Sequence, residues 1–126
     1  MSYEVGVRAA FRASHALRGD FGPAREPHPH DYRVELEVRG ARLRDDGTLC
    51  DITLLHQALA DAIEELDGAR LDALAPFRER NSTAEELARH VATRVRERVS
   101  RDGVERLVVR VWETEDAYAA CEVSLS

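Results

Sequence analysis

Between Tyr32 and Arg39 the chain alternates strictly: Tyr32, Val34, Leu36 and Val38 are apolar, and Arg33, Glu35, Glu37 and Arg39 are charged. Side chains on a strand point to opposite faces with period two, so this segment predicts an antiparallel strand with one buried and one wetted face. Ser2 to Ala13, rich in valine, alanine and aromatics, predicts a strand before it. Arg18 to Pro29 contains Gly19, Gly22, Pro23, Pro27 and Pro29 and predicts a connecting loop. His28 and His30 share the face of Tyr32 only if the second strand runs back through Pro29. Proline is tolerated at the start or edge of a strand.

The period then changes. After the turn signal Asp45-Asp46-Gly47, Ile52, Leu55, Leu59, Ala62, Ile63 and Leu66 recur at helical spacing, with Asp51 or Thr53 placed to cap the start. Gly68 to Arg80 breaks that pattern and includes Pro76. Ser82-Thr83-Ala84-Glu85-Glu86 offers a capping box in two registers, Ser82 with Glu85 or Thr83 with Glu86. The helix it opens carries Leu87, Ala88, Val91, Val95 and Val99 on one face, and Asp102-Gly103 marks its expected end. Leu107, Val109 and Val111 alternate in a third strand reaching Trp112-Glu113-Thr114, and Tyr118 to Leu125 predicts a fourth. The order strand, strand, helix, helix, strand, strand predicts a single α+β domain over residues 1–126, a four-stranded antiparallel sheet with two helices on one face. The other face calls for a cover, which self-association would supply.

Composition narrows the chemistry. Charged residues make up 33% and hydrophobic ones 44%, as in ordinary globular domains, and no apolar run has the length of a membrane span. No signal peptide opens the chain, so a cytoplasmic location is expected. All 18 basic residues are arginine, which excludes lysine Schiff-base chemistry. A net charge of −6 with scattered arginines argues against nucleic acid as a partner. Cys50 and Cys121 lie far apart and read as small, buried apolar side chains rather than a disulfide.

Three of the five histidines, His15, His28 and His30, fall within the first thirty residues. His28 and His30 can point the same way on a strand, and a third imidazole from Phe11-Arg12-Ala13-Ser14-His15 would complete a site. Zinc on three protein nitrogens keeps an open position, the catalytic arrangement. Two turn histidines beside a proline, with one unrelated neighbour, is the plainer alternative.

Several segments, taken in order, resemble the 6-pyruvoyl-tetrahydropterin synthase and 6-carboxy-tetrahydropterin synthase family, zinc lyases of the tunnelling fold. Phe11-Arg12-Ala13-Ser14-His15 resembles F-x-A-A-H, and His28-Pro29-His30-Asp31-Tyr32 resembles H-G-H-x-Y/F. Leu49-Cys50-Asp51-Ile52 is similar to V-x-D-F, and Leu66-Asp67-Gly68-Ala69-Arg70-Leu71-Asp72 to L-D-H-x-x-L-N. Ser82-Thr83-Ala84-Glu85 resembles P-T-x-E, and Trp112-Glu113-Thr114 the late strand motif ending in E-T. The resemblance spans nearly the whole chain. It implies Zn2+ on His15, His28 and His30, a pterin-like ring recognised by Glu113, and assistance from Thr83 and Glu85, for which helix capping is an equal explanation. It also implies subunits joined edge to edge into a barrel, as a trimer or hexamer, with active sites between subunits and Glu113 meeting the zinc there.

The chain departs from the family where protons are moved. Ala24 stands where the family has a cysteine four residues before H-x-H, and Gly68 stands where the histidine of L-D-H is expected. A replacement acid or base is needed within hydrogen-bond reach. Glu26 leads, because some members of the family place an acid near the cysteine position. Asp67 follows, with a helix-end cap as its other reading. Asp20, His56 and His90 rank below them, and Cys50 or Cys121 lower still. The resulting expectation is a zinc-dependent lyase acting on a dihydropterin-type or related hydroxylated substrate by proton abstraction, with elimination, isomerisation or retro-aldol cleavage. The alternative is a catalytically silent zinc- and pterin-binding homologue. A cupin-like metal motif, His28-x-His30-x-x-x-x-Glu35, is disfavoured by two capped helices and by Glu35 falling on the charged face of its strand.

Overall fold

In the computed structural model, which describes residues 1–99 and 102–125, four strands form one antiparallel sheet in the order β1-β2-β3-β4. They are β1 (Tyr3–His15), β2 (His28–Gly40), β3 (Arg106–Thr114) and β4 (Ala117–Ser124). Helices α1 (Ile52–Glu64) and α2 (Ala84–Arg96) lie between β2 and β3 in sequence. Helix α1 packs on β1, and α2 on β3 and β4. The expected α+β architecture is therefore present.

The period-two pattern dictates which face meets the helices. Tyr32, Val34, Leu36 and Val38 of β2 are fully buried, beside Val7, Phe11 and Ala13 of β1 and Leu107, Val109 and Val111 of β3. Leu55, Ala58, Leu59, Ala62 and Ile63 of α1 close over them with Leu87, Ala88, Val91, Ala92 and Val95 of α2. Asp51 caps α1 by accepting from the Thr53 N–H, and Thr83 caps α2 by accepting from the Glu86 N–H. The second capping register is thus the one used.

Several boundaries move. β1 runs on to His15, and β2 begins at His28, so Pro29 lies inside a strand rather than in the loop. The reason is local: β3 pairs with β2 only as far as Arg33↔Trp112, so residues 28–31 have a strand on one side alone. A proline there forfeits no bond to β3. Ile52, expected on the buried face of α1, is half-exposed at its first turn. Helix α2 ends at Arg96, before Asp102-Gly103, and residues 100 and 101 lie outside the described part.

The sheet face opposite the helices is not bare. Arg39 and Arg110 bracket Glu37, Trp112 Nε1 donates to Glu35 at 2.6 Å, and Val108 is buried among these side chains. Glu35 is thereby engaged away from the histidines, which removes the cupin-like motif. Among the described residues, no helix is long and apolar enough to cross a membrane.

Candidate metal centre

The register of β1 on β2 brings the histidines together. His15 is paired with His28, and Ala13 with His30, at the end of the sheet where both strands outrun β3. All three side chains share the face of Phe11 and Tyr32, so the core ends in a cluster of imidazoles. Ring centroids are 4.5 Å apart for His15 and His28, 5.1 Å for His15 and His30, and 4.9 Å for His28 and His30. One nitrogen from each lies within 4.8 Å of the others. Three nitrogens around a tetrahedral zinc stand about 3.4 Å apart at the usual Zn–N length, so a small inward adjustment of the rings suffices.

Backbone carbonyls set the tautomers. His15 Nδ1 lies 2.9 Å from the Ser82 carbonyl and 3.1 Å from its hydroxyl, and His28 Nδ1 lies 2.8 Å from the Glu26 carbonyl. A carbonyl can only accept, so each Nδ1 carries the proton and each Nε2 keeps its lone pair. This is the outer support found behind metal-bound histidines. His15 is 1% exposed and its Nε2 has no hydrogen-bond partner. A buried lone pair left unpaired is costly, and a cation held by the three imidazoles would satisfy it. The residues present therefore fit a three-histidine metal site. Burial also lowers the pKa values of His15 and His30, in His30 against the opposing pull of Glu113. Both rings are held neutral, the form that binds metal.

Parity brings Glu113 to the same face: it follows Leu107, Val109 and Val111 of β3 at period two. The β3–β4 register shifts between Trp112 and Thr114, so Glu113 also sits at a bulge. It places Oε1 4.0 Å from His30 Nε2 within the same chain. Tyr32 is stacked on Phe11 at 4.8 Å, and its ring lies 5.3 Å from that of His30. Burial and then the Glu113 carboxylate raise the pKa of its phenol, which stays protonated.

The remaining candidates are distributed unevenly. Asp67 borders an open depression of about 760 Å3 together with His30, Tyr32, Glu113 and Arg12. Its Oδ1 accepts from the Arg12 N–H at 3.1 Å, so it stitches β1 rather than capping α1. Glu26 is exposed, does not border the depression, and touches the site through its carbonyl. Thr83 caps α2 immediately after the serine that holds His15. Ala24 lies in a short 3-10 turn, Gly22–Arg25, and Gly68 sits at φ +76°, with its N–H donating to the Arg12 carbonyl. Asp20 and His56 are exposed, while His90 pairs with Glu65 at 2.9 Å. Cys50 and Cys121 are unbridged, partly exposed rather than buried, and lie outside the metal group.

Two supports were not singled out from the sequence. Ser82 orients His15, and Asp72 accepts from the Ala16 N–H at 3.1 Å just beyond His15. The Asp-rich Leu66–Asp72 segment hinted at the second; nothing local marked the first.

Comparison with known proteins gives the same assignment. The family model for 6-pyruvoyl tetrahydropterin synthase matches residues 4–124. The 6-pyruvoyl tetrahydropterin synthase of Caenorhabditis elegans is 19% identical with a TM-score of 0.85, over 98% of this chain and 97% of that one. The Plasmodium vivax synthase, solved with a catalytic glutamate replaced by alanine, is 18% identical with a TM-score of 0.81, over 99% of both chains. A dihydroneopterin aldolase from Burkholderia thailendensis, solved with guanine bound, is 12% identical with a TM-score of 0.51, over 97% of this chain and 88% of that one. No curated protein matches the chain. With the histidine cluster at the end of a β-β-α-α-β-β sheet and a family match over almost its full length, the chain belongs to the 6-pyruvoyl tetrahydropterin synthase family.

Proposed function

We propose that the protein is a zinc-dependent lyase acting on a dihydropterin-type or related hydroxylated substrate. The observation that carries this reading is the convergence of three histidines, two of them oriented by backbone carbonyls, with Glu113 on one side of the sheet. When bound by His15, His28 and His30, Zn2+ would supply Lewis acidity toward hydroxyl or carbonyl oxygens. The Glu113 carboxylate accepts two N–H donors from the amino-pyrimidinone edge of the ring and fixes its orientation. The guanine held by the Burkholderia aldolase, a relative in fold, has that same edge.

A carboxylate then takes the proton next to the carbonyl or imine, leading to elimination, isomerisation or retro-aldol cleavage. Asp67, which borders the depression, supports this role, and Glu26, whose backbone carbonyl contacts His28, is the second candidate. A glutamate is a catalytic residue in the Plasmodium vivax synthase as well. Ala24 and Gly68 provide no titrating group, so the chemistry differs from that of members with the usual cysteine and histidine. Assembly as a trimer or hexamer, by pairing of free sheet edges, completes the reading, and mass in solution tests it.

The same two residues favour one second reading, a catalytically silent homologue that binds zinc and pterin. Turnover separates the two. Zinc-loaded protein is incubated with dihydroneopterin triphosphate and a panel of dihydropterins, and products are read by mass spectrometry. Conversion of one substrate, lost in Asp67→Asn or Glu26→Gln, supports the lyase. Binding without conversion across the panel supports the silent homologue.

A further inference from the structure

Among the described residues, two buried side-chain polar atoms have no hydrogen-bond partner, His15 Nε2 and the Tyr32 hydroxyl. Both belong to one cluster, since the Tyr32 ring lies 6.2 Å from His15 and 5.3 Å from His30. A metal accounts for the imidazole nitrogen. It does not account for the phenol, whose O–H donor finds no acceptor in a cation held by the imidazoles. Native proteins rarely leave such a group unpaired, and the exceptions concentrate at functional sites. A phenylalanine would fill the same space against Phe11 at no desolvation cost.

We propose that Tyr32 is a ligand-positioning residue whose hydroxyl donates a hydrogen bond to a side-chain oxygen of the bound pterin-class compound, beside the three histidines. This rests on the reading given under Proposed function and adds a residue to it. Three observations converge on it. Tyr32 borders the open depression together with His30 and Glu113. The positions where relatives carry a thiol and an imidazole hold Ala24 and Gly68, so no side-chain donor comes from either. The hydroxyl is covered in the free chain, and Glu113, with a side chain 30% exposed beside His30, borders the same depression. Under the proposal, side chains at this edge move aside when the ligand binds. The occupant is therefore a compound with an amino-pyrimidinone edge for Glu113 and an oxygen-bearing substituent for Tyr32.

The test compares the full-length parent with Tyr32→Phe, using neopterin, which carries a hydroxylated side chain, and 6-methylpterin, which has no side-chain oxygen. Zinc-loaded protein is titrated with each by fluorescence, and the metal-free, ligand-free proteins are melted. The expected result is about tenfold weaker neopterin binding in Tyr32→Phe, with 6-methylpterin changed less than about twofold, and a higher melting temperature for the variant without ligand. Unchanged neopterin affinity, or equal weakening of both compounds, overturns the proposal. A lower melting temperature overturns it too, because the hydroxyl would then have a partner in the free protein. If the parent binds neither compound, the pterin reading itself falls and takes this role with it. If the parent binds both and only the difference is missing, Tyr32 alone is refuted.

Discussion

His15 Nδ1 lies 2.9 Å from the carbonyl of Ser82, 67 residues further along the chain. This one bond ties the start of α2 to the end of β1 and aims the His15 lone pair at His28 and His30. The Ser82 hydroxyl, at 3.1 Å, adds a second contact to the same nitrogen. In Ser82→Ala the carbonyl remains, so the site should persist with metal affinity lowered by about tenfold or less. Competition with a fluorescent chelator measures this. Complete loss of binding would mean that the hydroxyl, not the carbonyl, sets the tautomer.

Burial holds His15 and His30 below the ordinary histidine value of 6.5. Without metal, the unfolded chain therefore binds protons before the folded one does as the pH falls. The sign follows from linkage: stability from these two groups is complete above 6.5 and drains away as the pH drops below it. Urea midpoints of chelator-treated protein should fall between about pH 7.5 and pH 5.5. The fall should be shallower in His30→Gln. A flat or rising midpoint in the parent would contradict neutral, buried imidazoles.

Gly40 and Gly68 should respond differently to alanine. A Cβ on Gly40, at the end of β2, would collide with the carbonyl oxygen of Gly103 and crowd Leu49 at 2.8 Å. Overpacking against backbone costs about 1–3 kcal/mol. Gly68 has open space around it but sits at φ +76°, so substitution there costs about 1 kcal/mol through backbone strain alone. Chemical denaturation should rank Gly40→Ala as the more damaging. Restoring the family histidine with Gly68→His should give a folded protein with the same modest penalty.

Glu113→Gln keeps the size of the side chain but exchanges one acceptor oxygen for a donor. It should leave metal content unchanged and weaken pterin binding by about tenfold or more, the worth of a charge-assisted pair. Calorimetry of metal-loaded protein reads both. A loss of metal in this variant would instead make Glu113 a ligand.

The elements themselves were legible because each obeys a local rule: alternation in β2, helical spacing and caps in α1 and α2, and turn residues between them. The histidines could be grouped because strand parity places His28 and His30 on one face. What remained hidden depends on contacts far apart in sequence. Pro29 could enter β2 only because β3 stops short of it, a fact of sheet register. Ser82 reads as a rival helix cap, yet it supports His15 while Thr83 does the capping. The bulge at Glu113 leaves no local mark in Trp112-Glu113-Thr114. Gly68 reads as a lost histidine, whereas its backbone is a left-handed turn that hydrogen-bonds β1.

The most direct measurement is metal stoichiometry of the purified protein, by mass spectrometry, for the parent and for His15→Ala, His28→Ala and His30→Ala. One zinc per chain in the parent, and none retained after dialysis in any of the three variants with folding intact by circular dichroism, is the expected result. Undiminished zinc in His28→Ala, or a parent that cannot be loaded, would contradict the three-histidine centre.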